Sequence, residues 1–123
     1  MQKILYGIPY LEVEDVNPDG SLKPHVGRGK PVLLMVQGDF CGYCTSAKPA
    51  FQELAQKAQG VVLATVQIDA GPKDKAANQA LKAVNTQPGV PAFLGFDSSG
   101  RFVGVHKGDR TAPALSAFAA QLK

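Results

Sequence analysis

The sequence predicts an α/β fold in which a central mixed β-sheet carries helices on both faces. Three observations predict it. Two continuous apolar runs, PVLLMV at 31–36 and VVLATVQI at 61–68, have the composition of strands buried on both sides. Each is followed by a segment with apolar residues three and four positions apart, at 45–59 and 73–84, which is the helical spacing. Later, PAFLGF at 91–96 and RFVGVH at 101–106 flank DSSG, the pattern of an antiparallel hairpin. Strand–helix–strand alternation gives parallel crossovers and the late hairpin adds antiparallel strands, so the sheet is mixed.

Taken in order, KILYGI at 3–8 is expected as a short first strand, and residues 15–30, rich in Pro, Gly and Asp, as a loop. The strand at 31–36 follows, then the helix at 45–59. Its inward positions are Ala47, Ala50, Phe51, Leu54, Ala55 and Ala58, with Lys57 in the last turn and Gly60 as the stop. After the strand at 61–68, the helix at 73–84 turns Ala77, Leu81 and Val84 to one side. The hairpin leads to a closing helix at 112–123 with Leu115, Phe118, Ala119 and Leu122 inward. No repeat, low-complexity segment or linker divides the chain, so a single domain over 1–123 is expected.

A chain of 123 residues, 45% of them hydrophobic, buries an adequate core without a disulfide or metal. The net charge of +3 comes from scattered basic residues with no dense run, which argues against nucleic acid as a partner. No run of 18 apolar residues is present, so no membrane span is expected. MQKILYGIPY lacks the long apolar segment and cleavage site of an export signal, so a cytoplasmic location is expected. A periplasmic or otherwise exported protein whose signal had been removed would read the same way. A monomer is expected.

The only two cysteines, Cys41 and Cys44, stand three positions apart in DFCGYC. A structural staple, a metal pair and a working dithiol are the alternatives. A disulfide over two residues closes a very short loop and removes little chain entropy, so it is a poor staple. Zinc sites take four ligands, whereas the only histidines are His25 and His106, far apart in sequence. A dithiol needs one easily ionised sulfur. A C-x-x-C opening a helix after a buried strand supplies it, because the first helical N–H groups lack internal partners and the helix dipole points its positive end there. Cys41 is therefore expected to ionise below the free value of about 8.5. Cys44, one turn on, is expected deeper and less ionised, as a resolving thiol.

With these residues in hand, the chain resembles the thioredoxin superfamily from about Gly29 to Lys123. The resemblance rests on PVLLMVQGDFCGYC, Pro49 five residues after Cys44, VQID at 66–69, GVPAF at 89–93 and KGD at 107–109. It implies a thioredoxin-like fold and a protein thiol–disulfide oxidoreductase that needs no cofactor beyond its two sulfurs. It implies Cys41 as attacking and Cys44 as resolving thiol, with Pro49 kinking the active helix. Pro91 is implied cis beside the dithiol, with the Val90 backbone free to pair with an extended substrate chain. Phe40, Gly42, Tyr43 and Gly108 complete the implied substrate surface. The implied partners are protein or peptide disulfides, with a reductase or glutathione as electron donor.

Two departures matter. Thioredoxins carry Trp-Cys-Gly-Pro-Cys; here Phe40 precedes Cys41, Tyr43 replaces the proline, and the chain has no Trp. Gly-Tyr resembles the dipeptide of bacterial disulfide isomerases, so a potential less reducing than thioredoxin's (about −270 mV) is expected. Second, Met35 and Thr65 stand where thioredoxins place a buried Asp and a Lys. Deprotonation of Cys44 is then expected to rely on water or a substrate group. Lys48 is expected at the surface, Asp39 solvated, and His106 as a strand residue. The rival functions are an isomerase or oxidase in an exported compartment, a peptide-binding module without turnover, and metal or iron–sulfur binding.

Overall fold

The structure, a computed structural model, describes residues 7–122. Strands β1 (Val32–Gln37), β2 (Val62–Gln67), β3 (Ala92–Phe96) and β4 (Phe102–His106) form one sheet in the order β2-β1-β3-β4. The β1–β2 pair is parallel, and β1–β3 and β3–β4 are antiparallel. The expected mixed sheet is therefore present, with β1 central. The expected first strand at 3–8 lies outside the described residues as far as position 6, and Gly7 and Ile8 have no strand structure. Pairing starts just beyond: Leu11 N–H donates to Thr65 O at 2.8 Å and Thr65 N–H to Pro9 O at 3.0 Å, covering the outer edge of β2.

All six residues of β1 are buried, because helices cover both faces. Its alternation sorts the core. Val32, Leu34 and Val36 face one cluster with Ala64, Val66, Ala77, Leu81 and Leu94. Leu33 and Met35 face the other, with Cys41, Cys44, Ala47, Phe51, Leu63, Phe93, Leu115 and Ala119. Helix α3 (Pro72–Leu81) thus covers the first face, and α2 (Gly42–Lys57) and α4 (Ala112–Ala120) the second.

Several boundaries differ from expectation for local reasons. The 15–30 stretch is not all loop. A 3-10 turn at Val13–Asp15 is tied by Glu12 N–H to the Asp15 carboxylate at 2.8 Å, and a short helix, α1, spans Pro24–Gly27. Pro24 sits where its missing N–H costs nothing, and Val26 anchors the turn in the core. Helix α2 begins three residues before the expected Thr45, because Cys41 itself caps it. Helix α3 stops at Leu81; Ala83 and Val84 N–H groups bond three residues back, tightening the end.

Gly100, at φ 88° in the β3–β4 turn, is pressed against the chain ahead of α1: Leu22 N–H donates to Gly100 O at 2.9 Å, and a Cβ would collide with the Leu22 carbonyl oxygen. Both the left-handed backbone and the clash with main chain oppose any side chain. Gly100→Ala is expected to destabilise the fold by about 2 kcal/mol, read as a lower midpoint in chemical denaturation; an unchanged midpoint would contradict this packing.

Candidate active site

Strand β1 ends at Gln37, and after the three residues 38–40 the chain reaches Cys41, the cap of α2. The turn is held from two sides. Cys41 N–H donates to Gly38 O at 3.2 Å. The Asp39 amide donates to both carboxylate oxygens of Asp69, at 2.9 and 3.1 Å, from the loop after β2. Burial alone would raise the Asp69 carboxyl, but the Asp39 amide, the Gln67 side chain and the Phe40 amide together hold it below its ordinary value.

Cys41 is the N-cap of α2, in extended conformation, and its Sγ accepts the Cys44 N–H at 3.0 Å. This is the capping role that Ser or Asp plays elsewhere, performed by sulfur. The Cys41 thiol donates to Val90 O at 3.4 Å. The Val90–Pro91 peptide bond is cis. Register explains the meeting: β1 pairs with β3 so that Val36 lies opposite Ala92, which sets the residues before β3 beside those after β1. Both cysteines are free thiols. Cys41 is 8% exposed and Cys44 wholly buried. Burial, then the hydrogen bond with Cys41, push the Cys44 thiol up to about 12; the Gly38 backbone and the Lys48 charge pull the other way.

Around this pair the surface is aromatic and open. Phe40 is 71% and Tyr43 74% exposed, and Gly42 between the cysteines is exposed too. Val90 packs against both core clusters, and Pro91 is buried. Gly108 is exposed, and a Cβ there would meet the His106 ring of its own loop at 3.2 Å. His106 ends β4, its Nε2–H donating to Asp109 O at 2.7 Å and its ring packed between Phe93 and Phe118. Asp39 is exposed, as expected.

Sequence reasoning placed one residue wrongly and missed two features. Lys48, expected at the surface, is 3% exposed. It stands four residues after Cys44 and three before Phe51, so it shares their inward face. Arg110 lies over the Tyr43 ring, 5.7 Å from its centroid, joining the loop before α4 to the cysteine turn. At the positions of Met35 and Thr65 there is a neutral hydrogen-bonded chain: Gln37 Nε2–H donates to Thr65 Oγ1 at 3.1 Å, and Thr65 Oγ1–H to Met35 O at 2.7 Å. Only the helical period could have flagged Lys48; the other two features arise from pairings distant in sequence.

Among the described residues no cluster of three or more His, Cys, Asp or Glu could hold a metal, and His25 is paired with Asp15 at 2.6 Å. No helix among them is long and apolar enough to cross a membrane.

Comparison with known proteins agrees with this geometry. Residues 16–121 match the family profile described as Thioredoxin. Protein 453L of Invertebrate iridescent virus 6, itself described as thioredoxin-like, is 33% identical, the match covering 71% of this chain and 69% of that one. Among solved structures, thioredoxin f from spinach chloroplast (short form) superposes with a TM-score of 0.69 at 19% identity, covering 99% of this chain and 98% of that one. Zinc-bound human ERp44 gives 0.64 at 19% identity; 93% of this chain matches, spanning only 29% of ERp44. The J-Trx1 fragment of ERdj5 gives 0.60 at 22% identity, covering 80% of this chain and 45% of that fragment.

The raised thiol carries a pH signature. The neutral Cys44 thiol is favoured in the folded protein, so its contribution is fully present below the unfolded value of about 8.5 and is lost as pH rises toward about 12. The reduced protein should lose stability with alkaline pH more steeply than Cys44→Ala, by up to about 1.4 kcal/mol per pH unit between those limits. Denaturation midpoints of the two proteins from pH 7 to 11 test this; parallel curves would refute it.

Proposed function

The chain belongs to the thioredoxin family, whose members are generally thiol–disulfide oxidoreductases, and from that premise we propose that this protein exchanges its Cys41–Cys44 dithiol with protein disulfides, acting as a reductase. The observation that carries the proposal is the unequal placing of the sulfurs: Cys41 at the rim of the helix N-terminus under an N–H donor, Cys44 behind it.

In this scheme the Cys41 thiolate attacks one sulfur of a substrate disulfide. The substrate S–S bond breaks, its other sulfur leaves as a thiolate and takes a proton, and a mixed disulfide forms through Cys41. Cys44 then loses its proton and attacks Cys41 Sγ. The Cys41–Cys44 bond forms, the second substrate sulfur leaves, and two electrons have passed to the substrate. A reductase or glutathione restores the dithiol. The main chain of Val90, beside the cis Pro91, pairs with an extended substrate segment. Phe40, Gly42 and Tyr43 form the flat surface on which it lies, and Gly108 borders it. Access to Cys41 requires the substrate to take over the Val90 carbonyl that the thiol now occupies. A cytoplasmic location goes with the reductase direction; the N-terminus of the native precursor decides it.

Cys44→Ser is expected to accumulate mixed disulfides through Cys41 on incubation with oxidised insulin chains, seen as slow-migrating species removed by dithiothreitol. Cys41→Ser should trap fewer than about a tenth as many, since one pKa unit already changes thiolate supply tenfold. Equal trapping by both variants would reverse the roles. Wild-type protein that fails to speed insulin reduction by dithiothreitol would make this a binding module instead.

A further inference from the structure

Lys48 is the one charged residue within the buried set of the described residues; its companions there are Gln37, Thr65 and Gln67. Burying an ammonium without an opposite charge to pair it is costly. Helix α2 turns Cys44, Ala47, Lys48, Phe51 and Leu54 inward, so Lys48 lies one turn beyond Cys44 on the same face. The strand side of that space is polar. Gln37 follows Leu33 and Met35 in the alternation of β1, and Thr65 and Gln67 follow Leu63 in that of β2, so all face α2. Gln37 is fully buried, and its Oε1 has no hydrogen-bond partner. An orphaned acceptor of this kind marks a place where a cation or an ordered water is accommodated. No acid is among the buried residues. None of the ion pairs among the described residues involves Lys48.

We propose that Lys48 is a positioning residue for the resolving step, its ammonium set beside Cys44 to stabilise the thiolate that must form there. The inference rests on the reading of Cys44 as the resolving thiol. In the mixed disulfide Cys44 gives its proton to solvent, and the developing negative charge on its Sγ meets the fixed positive charge of Lys48. That Sγ attacks Cys41 Sγ, the Cys41–Cys44 bond forms, the bond to the substrate sulfur breaks, and the departing thiolate takes up a proton. Lys48 keeps its proton throughout. The charges acting on Cys44 fit this division: Cys41 disfavours its ionisation and Lys48 favours it. The other titratable groups nearby are Tyr10, packed against the same cluster from the N-terminal segment, and His106, held off behind Phe93. Asp39 is exposed and tied through its amide to Asp69, on the loops beyond the strand ends.

The alternative is that Lys48 only packs its stem. The two differ in single-turnover kinetics with an aromatic disulfide that releases a coloured thiolate at each step. The first release reports attack by Cys41, the second resolution by Cys44. Lys48→Met keeps the stem and loses the charge. It should leave the first release within about twofold of wild type, slow the second about tenfold and move its pH profile up by about one unit. Lys48→Arg should restore the second release, and Lys48→Gln, a neutral polar variant for the case that Met disturbs folding, should behave as Met. Wild-type resolution rates in Lys48→Met or Lys48→Gln, or equal slowing in Met and Arg, would overturn the proposal. Wild-type protein releasing no coloured thiolate at all would overturn the dithiol reading itself, a separate and recognisable failure.

Discussion

The hydrogen bond from the Cys44 amide to the Cys41 sulfur is the contact around which the site is arranged. It exists because a helix must satisfy its first N–H groups and here a sulfur stands at the N-cap. That placement needs the chain to leave the buried end of β1 and turn within three residues. The turn is narrow enough that a Cβ on Gly38 would run into the Phe40 ring. It is fastened to the loop after β2 by the Asp69 carboxylate on the Asp39 amide. The sheet, the turn and the cap therefore form one sequence of dependencies: β1 and β2 fix Asp69, Asp69 fixes the turn, and the turn fixes the sulfur.

From that one contact follows the inequality of the two thiols. The donor belongs to Cys44, so the helix that holds out an N–H to one sulfur carries the other into the core. Burial and the neighbouring thiol oppose ionisation there. In the proposed reaction, a site with only these effects would resolve slowly. The buried Gln37 and Thr65 lie on the sheet face that α2 covers, and the buried Lys48 lies one turn along α2 from Cys44; the proposed counterweight to burial is the charge of Lys48.

Much of this was legible in the sequence, and what was not has identifiable causes. The apolar runs, the helical periods and the Cys41–Cys44 spacing are local signals, and they placed four strands and three main helices to within a few residues. The cap at Cys41 was legible in kind, since a strand followed at once by a helix must supply one. The short helix at Pro24–Gly27 was hidden by composition: Pro and Gly read as loop, yet Pro24 opens the helix and Arg28 closes it in a left-handed conformation. Lys48 was misplaced because residue type was weighted above position. Period alone, with Cys44 and Phe51 on the same side, would have turned it inward. Resemblance implied the Val90 backbone beside the dithiol, free to pair with substrate, but not its carbonyl's bond with the Cys41 thiol; the register of β1 against β3 that delivers it has no local signature.

The rim of the site differs from its interior in a way that bears on what it can select. Inside, side chains are fixed by the core, and burial pushes the Cys44 thiol up. Outside, Phe40 and Tyr43 are exposed, and only Tyr43 has a described partner, the Arg110 guanidinium over its ring. A flat apolar surface grips main chain and apolar side chains without demanding a particular one. The hydrogen-bonding group that faces Cys41 at the rim is a backbone carbonyl, which cannot read side-chain identity either. In the proposed reaction, substrate choice would come from whether a disulfide can be presented on an extended segment, with the Arg110 guanidinium over Tyr43 as the charge nearest that path. Under the proposed function, breadth of substrate and strictness of chemistry would be separated in space, the first in the exposed rings and the second in the buried face of one helix.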